Sequence, residues 1–521
     1  MNVGLDVGGT NTDAVLMNGQ TVVAWVKVPT TGDVGDGIEQ ALRELLRTSG
    51  ADKARIETVM LGTTQLANAI VQGRDLARVG VIRMALPVGT AIPPLEDWPE
   101  ALVRAVSPVV REVHGGFEVI GVPVAEVDPR EIRATARTFL AEGIRDVAIT
   151  GVFSPMDDSQ ERLAAACVRE VIPDARISLG HDIGSLGLLQ RENACVLNAA
   201  LGDVADRVVD GFLGALRNLG LRSRLFLTQN DGTLMSADLA RRYPVRTVGS
   251  GPTNSMRGAA AITGIRDCIV VDVGGTTSDV GVLVHGFPRP AASNVSLAGV
   301  PTNFRMPDVY SLGLGGGSLV HEGPDGLSLG PDSVGFRLGT EALVFGGSEV
   351  TLTDAGVAAD RLAIGNRPLP AQRDGAWAER VLAKAARTVS DAIDRMKTQA
   401  GNVTVVLVGG GGVLLPDALE GATEVIRPPH SQVANAVGAA LAQVGAEIER
   451  VADLDPAHRQ ERLAELRRET VERARQAGAS AHTTEVVEIE ETPLAYMPGH
   501  QVRVRMRAVG DLEAQIPMEA R

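Results

Sequence analysis

The chain has 521 residues, 64 acidic and 50 basic, for a formal charge of −14, with 44% hydrophobic and only 3% aromatic side chains. That length exceeds what one hydrophobic core supports, so two or more lobes of a soluble globular protein are expected. An acidic balance with few aromatics excludes nucleic-acid binding through a basic face or stacking platforms.

In chain order, apolar β-branched runs predict strands at Val3–Val7, Val59–Leu61, Val79–Arg83, Val147–Val152, Leu225–Thr228, Cys268–Val273 and Val403–Val408. Helical periodicity lies between several of them, at Gly37–Thr48, Pro129–Glu142 and Gln160–Val171. The alternation reads as an α/β fold with largely parallel sheets. Beyond residue 445 the composition turns charged. Ile448–Ala477 reads as an exposed amphipathic helix, and Glu485–Ile489 and Val502–Met506 as half-buried antiparallel strands turned by Pro498-Gly499. With the polar stretch Gln190-Arg191-Glu192-Asn193 as a boundary, the expected units are 1–188, 189–445 and a small C-terminal appendage at 446–521. The first residues read as a strand rather than a signal peptide, and no stretch of ~18 apolar residues lacks a charge. A cytoplasmic protein with no membrane partner is therefore expected. Cys167, Cys195 and Cys268 are too few and scattered for disulfides or a Cys-rich metal site, and the eight histidines form no i, i+4 pair for zinc.

One internal echo carries most of the information. Leu5-Asp6-Val7-Gly8-Gly9-Thr10-Asn11-Thr12-Asp13 returns as Val271-Asp272-Val273-Gly274-Gly275-Thr276-Thr277-Ser278-Asp279, with six of nine positions identical at an offset of 266. Each copy follows an apolar strand and precedes another apolar run, which is a β-hairpin rather than the strand–loop–helix of a P-loop. Gly-Gly-Thr at a tight turn lets backbone N–H groups and a hydroxyl reach a phosphate without side-chain obstruction. Mg²⁺ takes one or two protein carboxylates, and Asp6 and Asp272 suit it. A third glycine cluster, Gly409-Gly410-Gly411-Gly412, ends the run Val405–Val408, where a flat ligand can lie against bare backbone.

Taken in order, these loops resemble the phosphate-1, phosphate-2 and adenosine motifs of the actin, sugar-kinase and heat-shock ATPase superfamily. Within it the chain is most similar to the hydantoinase A/5-oxoprolinase family. The similarity rests on GLDVGGTNTDAVL at the N-terminus, GTTQLANAI (62–70), QRENACVLNAAL (190–201), QNDGTL (229–234), SGPTNSMRGAA (250–260), VVDVGGTTSDVGVL (270–283), GLGGGSL (313–319) and LTDA (352–355). The resemblance implies a two-lobed actin-like ATPase fold of duplicated ribonuclease H-like domains, with ATP between the lobes. Ala199–Asp206 and Ala434–Leu441 would be the hinge helices. It implies ATP-dependent hydrolysis of a cyclic amide such as a hydantoin, a lactam or 5-oxoproline, through phosphoryl transfer to the amide oxygen. Asp6 and Asp272 would hold Mg²⁺; Gly8, Gly9, Thr10, Asn11, Gly274, Gly275, Thr276 and Thr277 would meet phosphate, with Thr276 also catalytic; Gly409–Gly412 would meet adenosine. Thr63, Thr64, Asn68, Arg191, Ser250, Gly316 and Gly317 are the substrate candidates. For Thr63 or Thr64 a helix cap is an equal alternative, and for Arg191 a surface ion pair. Asp354 is either a general base or cation ligand, or a cap on the helix at Ala355.

Two positions depart from the family pattern. Asp308-Val309-Tyr310 stands where relatives have Asp-Ile-His, and Asn230-Asp231-Gly232 where they have Asn-Gly-Gly, the added carboxylate disfavouring an acidic substrate. Family members usually work with a hydantoinase B-type partner, which this chain does not contain, and a homo-oligomer is compatible with the sequence. The competing readings are a small-molecule kinase and a regulatory ATPase that controls a partner protein.

Overall fold

The computed structural model describes the chain except residues 31–33, 292–294, 325, 496, 498 and 514–521. It is a two-lobed actin-like α/β fold built on two sheets that share one hairpin design. In the first, Asn2–Val7 pairs antiparallel with Asn11–Asn18 and parallel with Thr58–Thr63. In the second, Cys268–Val273 pairs antiparallel with Ser278–Val284 and parallel with Val403–Val408. The turns close alike: Gly8 N–H donates to Asn11 O at 3.0 Å and Gly274 N–H to Thr277 O at 2.8 Å. The parallel crossover from Thr21–Pro29 to Thr58–Thr63 runs through the helix Val34–Ser49, whose Ile38, Ala41, Leu42 and Leu45 stripe is fully buried at the spacing of one helical face.

The first sheet is larger than expected. Arg224–Thr228 pairs with Thr58–Thr63, Thr233–Ser236 follows it, and Gln443–Asp453 and Gln501–Gly510 continue the same nine-stranded sheet to its edge at Glu485–Pro493. The change of sheet therefore falls between Thr263 and Cys268 rather than at 188/189, because a continuous hydrogen-bonded ladder binds residues 224–236 to the first lobe. The C-terminal strands extend that ladder too. The helix expected over Ile448–Ala477 is Arg459–Gln476. Its first residues, Ile448–Asp453, belong instead to the strand Gln443–Asp453, in which Val444, Ala446 and Ile448 alternate with Gly445, Glu447 and Glu449. The Pro498 part of the expected turn lies outside the described residues.

A separate four-stranded parallel sheet, Val109–His114, Val79–Leu86, Asp146–Gly151 and Arg176–Leu179, is inserted in the first lobe with its own core around Ile82, Phe139 and Ile149. Among the described residues no helix is long and apolar enough to cross a membrane.

Between the lobes run the helices Ser250–Thr263 and Ala434–Ala440. Small residues permit their contact: a Cβ on Gly258 would sit 1.8 Å from Ala434 O, and one on Gly438 1.9 Å from Asn254 O. Ala199–Asp206 does not share this junction. It spans the break between the helices Leu188–Ala200 and Gly202–Asn218, inside the first lobe's core.

Candidate functional site

Where the two hairpins meet, their aspartates face each other across the lobes. Register pairs Asp6 with Asp13 and Asp272 with Asp279. Lys27, opposite Asp13 on the next strand, brings its Nζ to 2.5 Å from Asp13 Oδ1. Burial is the first cause that pushes the Asp6 carboxyl up to about 7, and repulsion from Asp13 and Asp272 adds to it; Lys27 and the Asn435 amide oppose the shift. Burial likewise raises Asp13 and Asp272, and lifts Asp279 to about 6.

The junction helices supply the polar partners. Asn435 Nδ2 donates to Asp6 Oδ2 at 2.8 Å, and Ser255 Oγ donates to Asp272 Oδ2 at 2.5 Å. Asp6 Oδ1 is buried and finds no hydrogen-bond partner among the described residues. A Cβ on Gly62 would lie 2.7 Å from that oxygen, so the neighbouring strand must be bare there. A buried carboxylate oxygen free to coordinate, ringed by like charges, fits a divalent cation. Among the described residues no three His, Cys, Asp or Glu side chains form a cage. Mg²⁺ takes one or two carboxylates and completes its shell with water and phosphate, a demand that Asp6 and Asp272 can meet.

The glycines divide into two kinds. Gly9 and Gly410 have nothing within 4 Å of an added Cβ, so their backbone is open to a ligand. Gly275 abuts Thr10 of the other hairpin, a Cβ there falling 2.6 Å from Thr10 Oγ1. Gly409, at φ +82°, would place a Cβ 2.2 Å from Asp272 Oδ1, and Gly411 N–H donates to Val273 O at 2.8 Å. The third glycine cluster is thus packed onto the Asp272 strand. Gly8 and Asn11 close the first turn through backbone, Gly274 and Thr277 the second, and Thr276 beside them is half-buried.

The substrate candidates scatter. Thr64 donates to Val7 O at 3.3 Å and its methyl lies 3.5 Å from a Cβ built on Gly251. Ser250 beside it has a buried Oγ with no partner among the described residues, so these two flank the first hairpin. Thr63 Oγ accepts from Gln65 N–H at 3.2 Å, the capping alternative, while Asn68 is exposed on the following helix.

Arg191 is no surface ion pair: it is buried, donating to Ser185 O at 3.0 Å and Gly151 O at 2.5 Å, so it pins the inserted sheet. Glu192 beside it takes Arg83 at 2.7 and 2.5 Å, equally buried. Gly316 and Gly317 give their N–H groups to Gly274 O and Gly275 O, at 3.0 and 2.7 Å, and so brace the second hairpin instead of offering donors to a substrate. Asp354 caps the helix Leu352–Ala358, accepting from Thr351 N–H and Oγ1 at 2.7 Å each and from Val344 N–H at 2.8 Å. With both oxygens committed it is not placed to act as a base. Asp308 is held by Arg289 at 2.7 Å, and Tyr310 by Arg395 at 2.6 Å.

Sequence reasoning passed over Asp13, Asp279 and Lys27. Asp13 and Asp279 were visible as the ninth position of the echo; Lys27 carried no motif and is found only through strand register.

Residues 2–172 match the hydantoinase/oxoprolinase N-terminal region and residues 191–374 match hydantoinase/oxoprolinase. The chain is 29% identical over 390 residues to caprolactamase subunit alpha of Pseudomonas jessenii, covering 70% of this chain and 55% of that protein. It is 26% identical over 394 residues to the acetophenone carboxylase gamma subunit of Aromatoleum aromaticum, covering 68% and 52%. It thus spans about half the length of the curated relatives it matches. In fold it resembles the ATP-dependent caprolactamase from Pseudomonas jessenii, with TM-score 0.77 and 21% identity over all of this chain and 90% of that one. Nucleotide-free acetone carboxylase gives TM-score 0.72 and 19% identity over 100% and 89%.

Proposed function

The chain belongs to the hydantoinase/oxoprolinase family, and from that premise we propose that it is the ATP-hydrolysing part of an enzyme that opens a cyclic amide. The observation that carries the reading is the pair of matched hairpins whose four aspartates converge at the lobe junction, with Asp6 Oδ1 buried and unmatched.

An amide carbonyl resists water because nitrogen donates into it. Phosphoryl transfer from ATP to the carbonyl oxygen makes the carbon electrophilic; water adds there, the C–N bond breaks as a proton passes to the departing nitrogen, and the acyl phosphate so formed is hydrolysed to carboxylate and phosphate. The protein's share of such a transfer is mainly positioning and charge stabilisation. The open backbone at Gly9 and the Gly274–Thr277 turn facing it cradle phosphates, and Gly410 lies under adenosine. Asp6 and Asp272 would hold Mg²⁺, which supplies neutralisation of phosphate charge when bound. Asn435 and Ser255 fix the orientation of those carboxylates, and Lys27 pairs with Asp13 beside them. Thr64 and Ser250 flank the first hairpin, where the amide would sit, and closure of the lobes excludes water during transfer.

The relatives named as subunits, alpha of a caprolactamase and gamma of a carboxylase, support a multi-subunit enzyme; in this reading its partner is hydantoinase B-type and its place the cytoplasm. The test is ADP and phosphate release with Mg-ATP, alone and against hydantoins, lactams and 5-oxoproline, with ring opening followed in the same tubes. Amide-stimulated release is expected, with opened product either alone or once the partner is added. A stable phosphorylated product would establish a kinase instead, and turnover indifferent to every amide a regulatory ATPase.

A further inference from the structure

A cavity of ≈ 570 Å³ lies apart from the paired hairpins, none of whose residues line it. Its walls come mainly from the end of the inserted sheet at His181–Ser185, the segment of the first lobe around Tyr243, the loop at Asn303–Arg305, and the C-terminal strand Gln443–Asp453 with the helix behind it, and Pro155, Arg162 and Arg505 complete them.

The charges of this lining do not cancel locally. Arg305 is matched by Glu447 and Glu488 at 2.7 and 2.8 Å, and Arg505 by Glu449 Oε2 at 2.8 Å. The wall around Tyr243 differs. Arg242 and Arg246 lie over its ring, 5.1 and 4.4 Å from the centroid. Arg246 donates to the Asp182 backbone oxygen at 2.7 Å and pairs with no carboxylate among the described residues; Arg242 reaches Asp182 Oδ2 only at 3.5 Å. Arg450 and Arg473 both converge on Glu469 Oε1, at 2.7 and 3.0 Å. Four guanidinium groups thus face two carboxylates, leaving two positive charges unmatched. Elsewhere in the lining an acceptor stands free: Glu449, paired with Arg505 through Oε2, keeps a buried Oε1 with no hydrogen-bond partner among the described residues.

Unmatched guanidinium forks recognise a carboxylate, and a free carboxylate oxygen calls for a charged donor. A multiply charged anion such as phosphate would meet repulsion from Asp182, Asp231, Glu447 and Glu449 in the same lining. We propose that this cavity binds a small amino-carboxylic acid, its carboxylate against Arg246, Arg450 and Arg473 and its ammonium toward Glu449. The site stands on the cavity's own charges. Its link to catalysis rests on the proposed reaction, since hydrolysis of a cyclic amide releases this class of compound, and the ligand is either that opened product or a free α-amino acid.

Titration calorimetry on the whole chain separates these sources, using 5-aminopentanoate and 6-aminohexanoate as opened lactams, and leucine and glutamine as α-amino acids. One class is expected to bind with a dissociation constant of about a millimolar or tighter. Glutarate, lacking the amine, should bind at least about tenfold more weakly, and pentylamine not at all. Arg246→Gln and Arg473→Gln should each weaken the amino acid by about tenfold or more. Arg473 is partly exposed, so R473Q carries the test if R246Q fails to fold. ADP binding measured on the same variants keeps this result separate from the nucleotide-site reading. No heat from any of the four amino acids, glutarate binding as tightly as they do, or wild-type affinity in the folded arginine variants would overturn the proposal.

Discussion

Asp6→Asn separates the electrostatics of the lobe junction from its packing. The side chains are nearly isosteric, and an asparagine amide oxygen still accepts from Asn435 Nδ2. In the folded protein the Asp6 carboxyl is raised from 3.8 to about 7 by burial and by Asp13 and Asp272. At 1.36 kcal/mol per unit, its charge costs the cation-free protein about 4 kcal/mol once the pH is well above 7. The native state holds this proton more tightly than the unfolded chain does. Its contribution to stability is therefore complete below about pH 4 and is lost as pH rises through about 7. The asparagine variant does not titrate, so its advantage over wild type should grow from ~1.5 kcal/mol at pH 5 to ~4 kcal/mol at pH 8. For a chain this long melting as one unit, the latter is a midpoint higher by about 4 °C. Thermal unfolding followed by circular dichroism at pH 5, 6, 7 and 8 reads the trend directly. Magnesium chloride at pH 8 should narrow the gap by stabilising only the wild type, and Mg-ATP turnover should be lost in the variant. A gap that stays constant with pH, or shrinks as pH rises, would refute the burial and repulsion argument.

Gly409→Ala puts a Cβ against Asp272 Oδ1 at 2.2 Å in a left-handed backbone, so both the melting midpoint and ADP affinity should fall, the latter by about tenfold or more. Gly410→Ala meets no protein atom, and should lower ADP affinity while leaving the midpoint unchanged; unchanged affinity would remove adenosine from that loop. Asp354→Asn should cost about 1–2 kcal/mol of stability through its cap while kcat stays within about threefold, and a hundredfold fall in kcat of a folded variant would restore the catalytic reading. Arg83→Met strands the buried Glu192 and should cost about 3–5 kcal/mol, measured by denaturant unfolding, with Arg83→Met/Glu192→Gln recovering part of the loss.

The lobe plan was legible because it is written twice. A nine-residue echo with its flanking apolar runs specifies a hairpin and its strand context by local rules alone, and both copies fold as those rules dictate. Strand order is a different matter. Nothing local in Leu225–Thr228 says that it pairs beside Thr58–Thr63, and nothing local distinguishes the start of a charged helix from the alternating strand Gln443–Asp453 except the period of its apolar residues. The site shows the same division. Asp6 and Asp272 were found through their motif. Lys27 and Asn435 arrive through register and helix crossing, which depend on contacts hundreds of residues apart. The surface ion pair weighed for Arg191 fails for a related reason: its partner Gly151, like Arg83 that pairs with Glu192, belongs to an inserted sheet. Its strands were predicted, but their separate layer was not.

The two hairpins share a design but not a support, and the difference explains what the remaining motifs are for. The first is braced from its own lobe: Thr30 Oγ donates to Gly8 O at 2.8 Å and Thr64 Oγ to Val7 O at 3.3 Å. The second is braced by a relay of loops. Thr353 gives both its N–H and its hydroxyl to Gly316 O at 2.8 Å, and Gly316 N–H in turn holds Gly274 O. Asp354, by capping the helix at its start, fixes Thr353 in that relay. The GGGS and LTDA motifs therefore act on the proposed nucleotide site at second hand, by setting the position of Gly274 and Gly275. Since Gly275 abuts Thr10 across the cleft, a fraction of an ångström there changes how closely the two hairpin turns approach. Glycine at 315, whose Cβ would fall 2.6 Å from Thr276 N, is required for the same close seating. Residues that look like substrate contacts by motif thus serve to hold one hairpin of the lobe junction against the other.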